Sequence, residues 1–168
     1  MDLINACKYG DIGEVEELLN RGISPTFQDE YGGTPLMTAS RNGYTKIVKL
    51  LLNIRQSHPE LQDIHGYTAL IYASRNGRAE IVELLLNTGQ SHPELQDNDG
   101  YTALMHASYR GHIEIVELLL NTGQSHPEYK NNDGQTALDY AREKGYTEIV
   151  NLIENYKPID AKFAGRKK

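Results

Sequence analysis

Thr34, Thr68, Thr102 and Thr136 lie 34 residues apart, and each is followed by Pro or Ala, then Leu, two variable residues and Ala. The run from Ile81 to Asp97, IVELLLNTGQSHPELQD, returns from Ile115 to Asn131 with changes only at its last three positions. Duplication at this fidelity excludes a single wound core. It predicts a stack of supersecondary units, each burying its apolar face against its neighbours.

Within one period the residues read as loop, helix, turn, helix. Thr102 is placed to cap a first helix, as is Thr34 with Pro35 at the favoured first helical position. Ala107 and Ser108 keep that helix slim, so that an adjoining unit can approach closely. Gly111 ends it, with Gly43, Gly77 and Gly145 at the same place in their own units, because glycine takes the positive φ of a helix terminus. A second helix follows. Its Ile115, Val116, Leu118, Leu119 and Leu120 are too apolar for a lone exposed helix, so it must be buried from both sides. Leu85 and Leu119 belong to that shared core. Asn121-Thr122-Gly123 closes the second helix, Pro127 stiffens the return, and Asp99-Gly100 or Asp133-Gly134 makes a hairpin turn.

The series Asp97-Asn98-Asp99-Gly100-Tyr101-Thr102-Ala103-Leu104, then Ala107, Gly111-His112, Ile115-Val116 and Leu118-Leu119-Leu120, resembles the ankyrin repeat. The resemblance covers about residues 1–156 in five units, near 1–27, 28–61, 62–95, 96–129 and 130–156. It implies an all-α solenoid of stacked helix-turn-helix units with β-hairpin loops. Two departures stand out. The His that usually follows Thr-Pro-Leu is replaced by Met37, Ile71, Met105 and Asp139, so the family's repeating histidine network is expected to give way to apolar packing. The loop Ser57-His58-Pro59-Glu60 is one residue longer than the family's usual unit, and the first loop, Ser24-Pro25-Thr26, lacks that residue. Terminal units have one neighbour each, so both ends are expected to be polar outside. Five units with two caps are expected to make a complete array.

Composition narrows the function. The formal net charge is −6. Lys157, Lys162, Arg166, Lys167 and Lys168 against Asp160 put +4 on residues 157–168, which leaves −10 on the array. An acidic body argues against broad nucleic-acid binding. No stretch approaches the roughly 18–20 apolar residues of a membrane span, and the N-terminus lacks a secretory pattern. Cys7, the single cysteine, permits no internal disulfide, so an intracellular, cytoplasmic protein is expected. No phosphate loop, His-Glu-x-x-His or nucleophile elbow occurs, so no enzyme activity, cofactor or metal is expected. His58, His92 and His126 recur one per unit, but units roughly 8–10 Å apart cannot share a zinc whose ligands sit at about 2.0–2.1 Å; they are expected to pack the loops. Cys7 takes a small buried position rather than that of a reactive thiol.

Ankyrin arrays bind partners with hairpin tips and the concave side of the first helices. Carried over position by position, that surface comprises Tyr31, His65, Tyr67 and Tyr101 on the tips, and Arg41, Asn42, Arg75, Asn76, Tyr109 and Arg110 after the first helices. Lys8, Arg41, Arg75 and Arg110 are expected to form one cationic ladder interleaved with tyrosines, the residue types that dominate binding hot spots. Glu14, Glu80, Glu83, Glu114, Glu117 and Glu148 make a solvated acidic exterior. The resemblance therefore implies a monomeric protein-interaction module that takes an acidic or polar protein segment in its groove. The alternative is an adaptor whose basic tail contacts another factor or a nucleic acid. Near-identical arrays rich in Asn, Tyr, Ile and Lys resemble ankyrin proteins of large DNA viruses, protists and intracellular bacteria, which places a chain from such a source in the host cytoplasm.

Overall fold

The computed structural model describes residues 2–54 and 57–157. The expected basic tail, apart from Lys157, lies outside the described residues. Ten helices alternate along the chain: α1 (Leu3–Tyr9), α2 (Ile12–Asn20), α3 (Pro35–Asn42), α4 (Thr45–Leu52), α5 (Ala69–Arg75), α6 (Ala79–Asn87), α7 (Ala103–Arg110), α8 (Ile113–Asn121), α9 (Ala137–Lys144) and α10 (Thr147–Glu154). The odd-numbered helices stack in one row and the even-numbered in a second, so each unit touches its own partner helix and its two neighbours. The only strand pairing among the described residues is an isolated antiparallel bridge, Gln96 to Thr102, so the hairpins are tight turns rather than ladders.

Local chemistry sets the helix boundaries. Thr34, Thr68, Thr102 and Thr136 each accept, through the side-chain oxygen, the amide of the residue three positions on, at 3.1–3.2 Å. This satisfies one of the amides that a helix start leaves unpaired. At the replaced histidine position, Met37, Ile71 and Met105 are buried. Asp139 is exposed and closes a capping box instead, its carboxylate accepting from the amide of Thr136 at 2.9 Å. The second helices end differently. Thr88 and Ser91 both donate to the carbonyl of Leu85, and Thr122 and Ser125 to that of Leu119.

The core runs unbroken between the two rows. Ile47, Ile81, Ile115 and Ile149 form one buried line, and Leu51, Leu85, Leu119 and Ile153 another, with Leu85 and Leu119 at 0% exposure. Ala39, Ala73, Ala107 and Ala141 are also fully buried, which lets the first helices stack closely. Beside them, Ser40, Ser74 and Ser108 bury hydroxyls that have no hydrogen-bond partner. Burial holds the thiol of Cys7 up at about 12, so it stays protonated and unreactive.

Consecutive hairpins are joined by backbone bonds. The amide of Ile64 donates to the carbonyl of Tyr31, that of Asn98 to His65 and that of Asn132 to Asp99, each at 3.0 Å. Gln28, Gln62 and Gln96 add a second tie, since each amide side chain donates to a carbonyl of its own turn and to one 34 residues on. This contact leaves no room for side chains at the turns. Gly100 has φ +83°, and a Cβ there would lie 2.9 Å from the Cα of Asn131 in the next unit. Gly134 holds the same conformation, φ +77°, with nothing within 4 Å.

Two expectations need correcting. His58, His92 and His126 remain about half exposed, and of these His126 packs by stacking on Tyr129 at 4.7 Å. Each takes the left-handed conformation, φ 44–45°, with its Nδ1 2.8–3.0 Å from the glutamate two residues on. The extra loop residue is thus absorbed by a backbone bend. The second correction concerns the N-terminal face, which is not uniformly polar: Ile12, Ile23 and Phe27 are exposed. Phe27 occupies the position of Leu61 and Tyr129, which pack against the core, yet its own ring is 52% exposed.

Two stability measurements follow. Gly100→Ala should cost about 2–4 kcal/mol by denaturant unfolding, from left-handed strain plus the clash, whereas Gly134→Ala should cost only the strain, about 1 kcal/mol. Equal losses would mean that the hairpins do not touch. Ser74→Ala should raise stability by about 1 kcal/mol, because it removes a buried hydroxyl without a partner. A loss of stability would show that the hydroxyl is bonded.

Candidate functional site

The hairpin turns form one wall of a groove, and the last turns of the first helices form the other. Each turn is built on an acidic or amide residue that organises the backbone after it. Asp63 Oδ1 accepts from the amides of His65 and Tyr67, both at 2.9 Å. Asp97 does the same for Asp99 and Tyr101, and Asn131 for Asp133 and Gln135. The second atom of each side chain reaches across to the first helix. Asp63 Oδ2 accepts from the Tyr72 hydroxyl at 2.7 Å, Asp97 Oδ2 lies 2.8 Å from His106 Nε2, and Asn131 Nδ2 donates to the Tyr140 hydroxyl at 2.8 Å.

Tyr72, His106 and Tyr140 floor the groove, and the tip tyrosines stack between them. Centroid separations are 5.0 Å for Tyr72–Tyr67, 5.5 Å for Tyr67–His106, 5.2 Å for His106–Tyr101 and 5.5 Å for Tyr101–Tyr140. Tyr109 ends the column edge-on to Tyr140 at 5.5 Å. Hydroxyl contacts support the stack, with Tyr101 and Tyr140 2.6 Å apart and Tyr140 donating to Gln135 Oε1. Burial, and then the Asp63 carboxylate, push the Tyr72 hydroxyl far above the usual range. Burial, and then Tyr101, do the same for Tyr140, so both remain neutral donors.

Cations border this floor. The Arg75 guanidinium sits 5.6 Å from the Tyr67 centroid and donates to its hydroxyl at 3.0 Å. Arg41 lies 5.8 Å from the Tyr72 ring, Arg110 5.9 Å and Lys144 4.5 Å from the Tyr109 ring. Lys144 pairs with Glu143 at 3.6 Å and Lys49–Glu80 and Arg142–Glu154 lie elsewhere, and no ion pair among the described residues engages Arg41, Arg75 or Arg110. Two recesses open along the groove. One of about 350 Å³ is lined by Tyr31, Arg41, His65 and Tyr72 among others, and one of about 260 Å³ by Arg75, Tyr101, His106 and Arg110 among others. A larger hollow of about 690 Å³ lies between α8 and α10, where the only cation is Lys157.

The expected residues thus fall into three groups. Tyr31, His65, Arg41, Arg75, Tyr109 and Arg110 are exposed along the groove, and Tyr67 and Tyr101 are half-buried in its column. Asn42 and Asn76 bond to backbone carbonyls, of Lys8 at 3.3 Å and of Tyr72 at 2.8 Å, and so brace the scaffold. The cationic ladder is less regular than expected. Counted from the helix-ending glycine, Arg41 and Arg75 share a position that Tyr109 occupies in α7, while Arg110 takes that of Asn42 and Asn76. One residue rotates a helical side chain by about 100°. The floor residues Tyr72, His106 and Tyr140 were missed, although their 34-residue spacing was visible, because they fall at a position that varies between units.

The family model of ankyrin repeats, in three copies, matches residues 3–94 and 89–162. No curated protein matches the chain. With the period, the capped helix pairs, the interlocked hairpins and a family match that spans nearly all of the described residues, the chain belongs to the ankyrin-repeat family, whose repeats are protein–protein interaction modules.

Proposed function

We propose that this chain is a non-enzymatic interaction module that holds an acidic protein segment in the groove between its hairpins and first helices. One observation carries the reading: along an otherwise acidic array, Arg41, Arg75 and Arg110 line one groove with no carboxylate partner among the described residues, held beside aromatic rings. A guanidinium resting beside a ring keeps most of its donors for a ligand, and a segment bearing carboxylates satisfies them in directional pairs. The carboxylates of Asp63 and Asp97 do not compete, because each is already bonded through both oxygens to its own turn and to the floor. The interlocked tips fix this surface before binding, so little ordering entropy opposes association.

Charge reversal tests the assignment. Arg41→Glu with Arg75→Glu should weaken capture of the cellular partner at least tenfold and leave helicity unchanged, while Glu83→Lys with Glu117→Lys, on exposed sites of α6 and α8, should leave capture intact. Quantitative affinity capture with both variants is the measurement. Greater damage from the Glu83 and Glu117 pair would move the site to the acidic exterior.

A further inference from the structure

The two recesses correspond in their central residues when displaced by a single unit. A shift of 34 residues carries Arg41 onto Arg75, Tyr72 onto His106, Asp63 onto Asp97 and His65 onto Asp99. In each, the inner aspartate is used up by two turn amides and one floor residue, and it forms no ion pair with the arginine. The repeat distance is that of packed first helices, roughly 8–10 Å. Ring steps of 5.5 and 5.2 Å from Tyr67 through His106 to Tyr101 set an upper limit, their sum, on the repeat along the floor.

Resting on the groove reading above, we infer that the groove selects an extended segment carrying two carboxylates three residues apart, one for Arg41 and one for Arg75. An extended chain advances about 3.1–3.3 Å per residue, so a separation of three spans one unit, while two falls short and four overshoots. A polyproline II backbone has three residues per turn, which also sets both carboxylates on the same side. The two ends of such a ligand bind as a linked pair, so matched spacing raises affinity without any new contact. A nucleic acid is disfavoured, because the array carries −10 and its ring faces are covered by one another. The recesses differ in several lining residues, and one difference changes the charge beside the arginine. Exposed Asp99 stands where the first recess has His65, so it repels the second carboxylate.

The test uses proline-rich nonapeptides containing Asp-Pro-Asp, Asp-Pro-Pro-Asp or Asp-Pro-Pro-Pro-Asp, titrated into the isotope-labelled full chain and followed by amide shifts. A neutral Asn-Pro-Pro-Asn peptide and a thymidine nonanucleotide serve as controls. The Asp-Pro-Pro-Asp peptide should bind about fivefold or more tightly than the other two acidic spacings. Arg41→Gln and Arg75→Gln should each erase that preference, Lys46→Gln, at an exposed site of α4 outside the groove, should keep it, and Asp99→Asn should strengthen binding. Both substituted arginines are exposed, and circular dichroism checks that the variants fold. The inference is overturned by equal affinity for the three spacings, by a preference that survives Arg41→Gln, by no shift at 10 mM peptide, or by tighter binding of the oligonucleotide. If the peptides show no preference while the Arg41 and Arg75 reversal still abolishes partner capture, the spacing falls and the groove reading stands. Failure of both experiments removes the groove itself.

Discussion

Close contact between consecutive units is the constraint on which the rest of the structure depends. No helix here is long enough, and no unit broad enough, to bury its own apolar side. The second helices α4, α6, α8 and α10 carry isoleucine, valine and leucine in a density that only neighbours can cover. Neighbours come near enough only where side chains are absent or small: at Ala39, Ala73, Ala107 and Ala141 between the first helices, and at turn glycines such as Gly100 between the hairpins. That contact also determines where side chains can project. With the hairpins locked tip to tip, one aspartate or asparagine per turn organises the loop and anchors the aromatic residue opposite.

The same geometry turns a repeated sequence into an unrepeated surface. Residues that hold units together recur, because every interface is the same. Residues that point into the groove are free to change, and here they have become an aromatic column flanked by arginines. Its energetics are local. Stacking and hydroxyl bonds keep the rings neutral and fixed, and fixed rings keep the guanidinium groups beside them. An acidic array with a few unpaired cations in one channel focuses its attraction there, and such attraction fades as salt rises.

The scaffold was nearly all legible in the sequence, because its signals repeat: threonine caps, helix-ending glycines, the aliphatic runs and the turn motif. Phase alone identified Leu85 and Leu119 as core. The groove was legible only in part. Arg41, Arg75, Tyr67 and Tyr101 follow from position within the unit, but Tyr72, His106 and Tyr140 sit where successive units carry Thr, Tyr, His and Tyr, and variability looked like exposure. Their burial depends on the aspartate or asparagine nine residues earlier, a pairing the period does not announce. The bend at His58, His92 and His126 was hidden because left-handed backbone is associated with glycine rather than histidine. Phe27 shows the converse limit: its phase matches a covered position, and it is exposed all the same.

The central claim is that this groove, and not the acidic exterior, receives the partner. Hydrogen–deuterium exchange of the array with and without its captured partner reads that most directly. The account predicts slowed exchange in the turns at 29–33, 63–67 and 97–101 and at the C-terminal ends of α3, α5 and α7. Slowing confined to α4, α6 and α8 would contradict it.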